Sequence, residues 1–305
     1  MIAAAGSAAF SWNLVSDLSQ MLSYQFMRNA FLAGAIVSVV AGVVGYFVVL
    51  RRTAFAAHAL SHIGFAGAAG AVLLGVNPVW GLLTFCLGGA LAMGSLGQRL
   101  RDRDTVIGIV LAFMLGLGVL FIALYSGFST EAYSILFGEI LGISTSDVVL
   151  TVVVGAIALA ALGAMYRPLL FASVDEEVAE ARRVPVRLLS IAFLLTVALA
   201  VAVAVQVVGV LLIFSLLVTP AAVAERLTMR PASAMAAAVA VSIACSWLGL
   251  AIGYYVSYPV SFFITSLAFL AYALTRAANA LARRRRPGRL PPGRPRPEYA
   301  GGHPG

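Results

Sequence analysis

The stretch Arg51–Gly75, RRTAFAAHALSHIGFAGAAGAVLLG, decides how the rest of the chain is interpreted. It opens with two arginines and continues as an apolar, glycine-rich run that is long enough to enter a membrane. Within it His58 and His62 are four residues apart, a spacing that places both imidazoles on one face of a helix. The sequence therefore predicts a membrane helix that carries a pair of histidines.

The composition of the chain excludes an ordinary soluble fold. Of its 305 residues, 62% are hydrophobic and 10% are charged, so a soluble fold would expose large apolar patches. Apolar runs that could cross about 30 Å of hydrocarbon recur along the chain, and we expect an all-α polytopic membrane protein. All Lys and Arg positions are arginine. Without lysine no phosphate-binding P-loop is possible, so any nucleotide must be hydrolysed by another polypeptide.

About nine transmembrane helices are expected from the apolar runs. Single spans are predicted at 30–50, 60–76, 79–96, 105–125, 148–165, 232–256 and 262–281. The run 188–222 would be about 50 Å long as one helix, so we expect two spans that turn near 206–209. The run 133–143 is too short to cross and contains Glu139, so we interpret it as a short re-entrant or interfacial helix.

The arginines predict how the chain is threaded. Nineteen of the twenty fall on one face of this arrangement, and only Arg28 falls on the other. The positive-inside rule makes the arginine-rich face cytoplasmic, with the amino terminus outside and the carboxyl terminus inside. We expect a transmembrane domain at 26–282 and a disordered basic tail at 283–305, which contacts anionic membrane lipid and no nucleic acid.

Three polar side chains in the apolar runs are candidate metal contacts, because polar groups inside a bilayer are costly. His58 and His62 supply two imidazoles, which form a common half of a transition-metal site. Each histidine could instead donate a hydrogen bond to a carbonyl of a neighbouring helix. Glu139 could supply a carboxylate from the outer side, or it could lie in water at the membrane edge.

A polar interval at 174–185 is the second candidate site. It predicts a short amphipathic helix, with acids at its positive amino-terminal end and arginines at its close. The acids are Asp175, Glu176, Glu177 and Glu180. This interval is the longest cytoplasmic loop of the predicted arrangement. The helix could be a solvated part of that loop or a docking element for another protein.

Five segments in a fixed order resemble a known family. They are FVVLRRTAFAAHALSHIGFAG at 47–67, RDTVIGI at 103–109, SILFGEIL at 134–141, VDEEVAEARRVPV at 174–186 and VGVLLIFSLLVTPAAVAERL at 208–227. Each segment alone is a weak signal, but their order and spacing together are specific. Over about 26–273 the chain resembles the permease subunits of bacterial ATP-binding-cassette importers for zinc, manganese and iron.

The resemblance places the histidine pair on the metal path. The family's usual G-D-A-[LI]-S-H-A has an aspartate where this chain has His58, and it has its histidine at His62. Because nitrogen-rich ligation favours zinc over manganese, this change implies zinc as the transported ion. The family's LFG matches at 136–138, with Glu139 where asparagine is frequent.

The resemblance also implies that 174–185 contains the coupling helix, which seats in a groove of the ATPase. The residues assigned to this contact are Asp175, Glu176, Glu177, Ala179, Glu180 and Pro185. The family's glycine just before V-P-V is Arg183 here. We therefore expect a different turn where the chain leaves this helix.

The function implied by the resemblance is that of a permease subunit in the bacterial plasma membrane. It would be a transport subunit and not an enzyme, with no permanently bound cofactor. An extracytoplasmic protein would deliver the metal ion, a separate ATPase would drive transport, and a second copy of the permease would form a homodimer with the first. A gradient-driven carrier or channel would also explain the histidines and Glu139, but it gives no role to the acidic cytoplasmic helix.

Overall fold

The fold is built from α-helices joined by short turns. The computed structural model of the chain describes residues 20–96, 103–125, 138, 142–256 and 258–284. Every regular element within these ranges is a helix, which confirms the all-α prediction. In chain order the helices are α1 Gln25–Leu50, α2 Ala54–Leu73, α3 Pro78–Leu96, α4 Arg103–Leu124, α5 Thr145–Val174, α6 Glu176–Ala181, α7 Val186–Val208, α8 Val210–Leu227, α9 Pro231–Tyr255 and α10 Val260–Arg284.

Eight of the described helices are long and apolar enough to cross a membrane, which confirms a polytopic membrane protein. The helices outside this set are the six-residue α6 and the 18-residue α8. Glu139 and most of the predicted re-entrant segment 133–143 lie outside the described residues, as does the tail from 285 onward. Helix α10 continues to Arg284, past the predicted start of the tail.

A single glycine separates α7 from α8. Helix α7 ends at Val208, α8 begins at Val210, and Gly209 between them has a φ of 83°. The long apolar run therefore breaks where the sequence predicts a turn. Helix α8 then runs back along α1, because the carbonyl of Leu217 lies against Gly45 in the second half of that helix.

Gly138 packs against this break. A β-carbon on Gly138 would lie 2.5 Å from the carbonyl carbon of Val208 and 2.6 Å from the nitrogen of Gly209. Its φ of 76° is in the left-handed region. Any other residue would clash with this backbone and strain its own. The glycine of the LFG segment is therefore required by tertiary packing.

Small residues bring α1 and α9 close together. Gly34, Ser38 and Gly42 recur at every fourth position of α1, and a β-carbon on Gly42 would lie 2.7 Å from the Cα of Val239. Ser38 and Ser246 are both buried, and their hydroxyls share a hydrogen bond of 2.9 Å. Helices in lipid gain no hydrophobic drive to associate, so close approach and hydrogen bonding of this kind hold the bundle together.

We expect Ser38→Ala to destabilise the folded protein only modestly. An interhelical hydrogen bond in a membrane protein contributes about 0.6 kcal/mol on average, and at most about 1.7 kcal/mol. Ser246→Ala should cost a similar amount, and the double variant should cost less than the two losses added, because the hydroxyls share one bond. Unfolding by denaturant in detergent micelles measures all three variants. Strictly additive losses would contradict a direct bond.

The bundle has two ends with different chemistry. The basic end is the one that carries Arg51 and Arg183. At the opposite end the Gln206 amide donates a hydrogen bond of 3.0 Å to the Asp147 carboxylate, which ties the end of α7 to the start of α5. Helices α1, α2 and α7 are the most buried spans, whereas α4 and α10 are the least buried. One candidate site therefore lies on a central helix, and the other lies at the basic end.

Candidate functional site

The two histidines lie on the open face of α2. From Ala54 to Ala71 every residue is buried except Ala54, Phe55, His58 and His62, and the last three recur at helical spacing. The two imidazole centroids are 4.7 Å apart, and the ring planes are nearly perpendicular, at 85°. The structure therefore brings both rings to one side of the helix, which the neighbouring helices cover only in part.

His58 has a ring nitrogen without a protein partner among the described residues. This atom is the buried Nδ1. Ser61 donates a hydrogen bond of 2.7 Å to the main-chain carbonyl of His58, which leaves the ring unaffected. Phe214 of α8 packs against the imidazole, with ring centroids 5.1 Å apart. A buried polar atom without a partner is costly, and a metal ion moving along this face would satisfy it.

Two imidazoles alone do not complete a metal site. Among the described residues no group of three His, Cys, Asp or Glu side chains could hold one ion. Glu139 lies outside the described residues. Structural zinc sites are closed by four protein ligands. The open pair therefore suits an ion that is held briefly and keeps ligands from elsewhere.

The structure adds Glu225 to the candidate residues. Phe214, Val218, Ala222 and Glu225 of α8 are at least partly exposed, and their spacing places them on one face of the helix. This face begins at Phe214, beside His58, and ends at Glu225. The Oε1 atom of Glu225 is buried and has no hydrogen-bond partner in the part of the chain that is described. It lies in the last turn of α8, where the helix dipole disfavours negative charge. Sequence reasoning could have found it, because an acid within a membrane-length apolar run is a functional candidate.

The predicted coupling helix is α6, which follows α5 directly. Asp175 ends α5 and caps the start of α6. Its carboxylate accepts a hydrogen bond of 3.0 Å from the main-chain N–H of Val178, which is the usual role of an aspartate at the start of a helix. The short helix and its acidic amino-terminal end are therefore where the sequence predicts them.

The acidic side of α6 faces away from the bundle. Glu176, Glu177 and Glu180 are exposed, whereas Ala179 is fully buried. Ala179 therefore packs the helix against the bundle, and the three carboxylates remain exposed to solvent or to a partner protein. A recess of about 510 Å³ adjoins this helix at the start of α7. It is lined by Glu180, Val184, Pro185, Val186, Arg187, Leu188 and Ile191.

Arg183 corrects the expectation of a different turn after α6. Its φ of 63° is in the left-handed region, which glycine adopts most easily. Its main-chain N–H donates a hydrogen bond of 2.9 Å to the carbonyl of Glu180. The main-chain N–H of Val184 donates one of 3.1 Å to the carbonyl of Ala179, and this pair of bonds is that of a Schellman helix end. The arginine therefore takes a conformation suited to glycine, at a cost of roughly 1–2 kcal/mol. In return it places a cation at the negative end of the helix.

Arg51 ties three helices together beside α6. From the end of α1, its guanidinium donates hydrogen bonds of 2.9 Å to Ser190 of α7 and 3.4 Å to Ser173 of α5. It also lies 5.6 Å from the ring centroid of Phe193. A planar guanidinium with several donors suits this bridging better than an ammonium group. Sequence reasoning treated Arg51 only as a charge at the membrane edge, because its serine partners are 122 and 139 residues away.

Comparisons with known proteins agree with this arrangement. A model of the ABC 3 transport family matches residues 23–278. The manganese transport system membrane protein MntC of Listeria monocytogenes is 31% identical over 238 residues, which are 78% of this chain and 85% of that protein. The manganese import system permease protein ScaB of Streptococcus gordonii is 32% identical over 232 residues, which are 76% of this chain and 83% of that protein.

A solved structure is also similar. It is that of PsaBC from Streptococcus pneumoniae in complex with Fab, which matches with a TM-score of 0.77 and 30% sequence identity. The match covers 86% of this chain and 94% of that chain. The similarity therefore extends over most of the helical bundle.

Proposed function

The chain belongs to the ABC 3 transport family, and on that premise we propose that it is the membrane subunit of an importer of divalent transition metal ions. It is a permease of the metal ATP-binding-cassette transporters, and thus a transport subunit and not an enzyme. The observation that carries the cargo proposal is the open face of α2, where His58 presents an unpartnered nitrogen beside His62.

Zinc is the cargo that the histidine pair favours. Imidazole nitrogen suits zinc, whereas manganese prefers carboxylate, carbonyl and water oxygens. Manganese is the second candidate, because the relatives MntC and ScaB are named for manganese transport. The ion is held transiently, with no permanently bound cofactor, since a site that binds its ion too tightly cannot release it.

A second copy of the chain would complete the metal path as a homodimer. His58 and His62 lie on a face that the helices of a single chain cover only in part. Two such faces related by a two-fold axis would line one path with imidazoles from both copies. Glu139 is a further proposed contact at the outer side, and Glu225 is one at the end of α8.

The basic end is proposed to face the cytoplasm of a bacterium, with the amino terminus outside and the carboxyl terminus inside. The concentration of arginine at this end supports that orientation. At this end α6 presents Glu177 and Glu180 beside the recess at the start of α7, and we assign the separate ATPase to this surface. An extracytoplasmic binding protein would deliver the ion at the opposite end.

Transport by this arrangement needs two conformations of the bundle. Binding and hydrolysis of ATP by the partner would favour an outward-open and an inward-open state in turn. The competing function is a gradient-driven carrier that works without an ATPase. A carrier of this kind gives no role to the exposed acids of α6 or to the buried Ala179 that packs this helix against the bundle.

Reconstitution into liposomes separates the two functions. We expect zinc to accumulate only when the chain is combined with its ATPase, the binding protein and ATP. Liposomes with the chain alone and an imposed proton gradient are the control, and they should accumulate none. Uptake in that control would establish the carrier instead. Faster uptake of manganese than of zinc by the full system would reassign the cargo and keep the importer.

A further inference from the structure

A groove lies between α1 and α9 in the half of the bundle opposite to the basic end. Its volume is about 410 Å³. It is lined by Leu22, Arg28, Phe31, Leu32, Ala35 and Trp247. None of these residues belongs to the histidine face or to the acidic side of α6. The groove is therefore separate from both candidate sites described above.

The wall from α1 changes from charged to apolar along the helix. Arg28, Leu32 and Ala35 are spaced by four and three residues, so they lie on one stripe of α1. Arg28 is exposed nearest the start of the helix, and Leu32 is 56% exposed one turn deeper. An exposed arginine at the start of the helix and an apolar groove surface one turn deeper match the order of chemistry in a phospholipid.

Trp247 of α9 forms the opposite wall. Its indole N–H donates a hydrogen bond of 3.3 Å to the carbonyl of Phe31, and the two rings meet edge to face with centroids 6.0 Å apart. The only polar atom of the ring is thereby satisfied. The side chain remains 46% exposed, so it offers a fixed apolar surface to whatever fills the groove.

The charge at the mouth needs an explanation of its own. Arg28 is the arginine that the predicted threading places apart from the other nineteen, so the positive-inside rule does not account for it. Its planar guanidinium can pair with a phosphate through two parallel hydrogen bonds. Charge complementarity therefore favours an anionic head group over a zwitterionic one at this mouth.

From these features we propose that the groove binds one anionic phospholipid of the outer leaflet, with its phosphate on Arg28 and an acyl chain between Leu32 and Trp247. The assignment to the outer leaflet rests on the proposed orientation of the chain, but it does not depend on the metal cargo. The bound lipid would anchor the outer half of α1 against α9, where Trp247 already joins the two helices.

Quenching of Trp247 fluorescence by brominated lipids tests the proposal. The chain has three tryptophans, so Trp12→Phe with Trp80→Phe leaves Trp247 as the single reporter in the full-length protein. Reconstituted with its ATPase, this variant should bind brominated phosphatidylglycerol about fivefold more tightly than brominated phosphatidylcholine, the preference expected for one arginine near an anionic head group. Arg28→Gln should remove the preference, and Arg276→Gln, at the other end of the bundle, should keep it.

Leu32→Phe supplies a second test, because a larger apolar side chain would narrow the groove without changing its charge. Placed in the reporter background, it leaves Trp247 as the single tryptophan and should reduce quenching by both lipids. Equal quenching of the parent by the two lipids would overturn the proposal and indicate ordinary bulk lipid. Absence of quenching would also overturn it, and would indicate that residues 1–19 or a second copy of the chain fill the groove.

Discussion

Replacing His58 and His62 together by alanine is expected to reduce metal uptake to the level of empty liposomes. The two imidazoles form the open face of α2, and His58 Nδ1 has no hydrogen-bond partner in the described part of the chain. Both side chains are only partly buried, so their removal leaves the packing of the bundle almost unchanged. The variant should insert into the membrane, keep its melting temperature and still bind the ATPase.

A matched set of variants separates ligation from packing. Phe55→Ala removes a larger side chain from the same face and should leave uptake close to that of the parent protein. His58→Asp replaces the imidazole by a carboxylate and should shift the preference from zinc toward manganese, because an oxygen ligand replaces a nitrogen. Uptake by the double alanine variant at the parental rate would remove both histidines from the mechanism.

Reversing the charge of α6 is expected to release the ATPase. Glu177→Arg with Glu180→Arg changes the net charge of the six-residue helix α6 by four units. Neither side chain is buried, so the bundle should fold normally while electrostatic complementarity with the partner is lost. Co-purification of the ATPase with tagged permease in detergent measures the effect, and we expect almost complete loss.

Substitutions at Asp175 show whether the charge or the helix is responsible. Asp175→Ser keeps a side chain that can cap α6, and it should retain the ATPase. Asp175→Ala removes the hydrogen bond to Val178 and should cost about 1 kcal/mol of helix stability, with partial loss of binding. Undiminished co-purification by the double charge reversal would mean that the docking surface lies elsewhere.

The features that could be predicted from the sequence depend on residues close together in the chain. The apolar runs predicted the membrane-length helices, and the turn expected near Gly209 is the break between α7 and α8. The spacing of His58 and His62 placed both on one face, and the acids after Val174 indicated α6. Each of these signals spans only a few helical turns, so the period of the helix is enough to interpret it.

The features that were missed depend on contacts between distant helices. Arg51 bridges α5 and α7, and nothing in its neighbours along the chain identifies Ser173 or Ser190 as partners. The left-handed conformation of Arg183 follows from the way the chain leaves α6, although propensity argues against it for a non-glycine residue. Glu225 became a candidate only when its carboxylate was found buried without a partner among the described residues.

Asp175 is the C-cap of α5 and the N-cap of α6, and it is the single residue between the two helices. Helix α5 has 30 residues, which make it a rod of about 45 Å. If a partner tilted α5 by about 5° at this end, the far tip of a straight helix of this length would move by roughly 4 Å. That tip carries Asp147, whose bond to Gln206 measures 3.0 Å. A movement of that size at the tip would be large enough to break the hydrogen bond between Asp147 and Gln206.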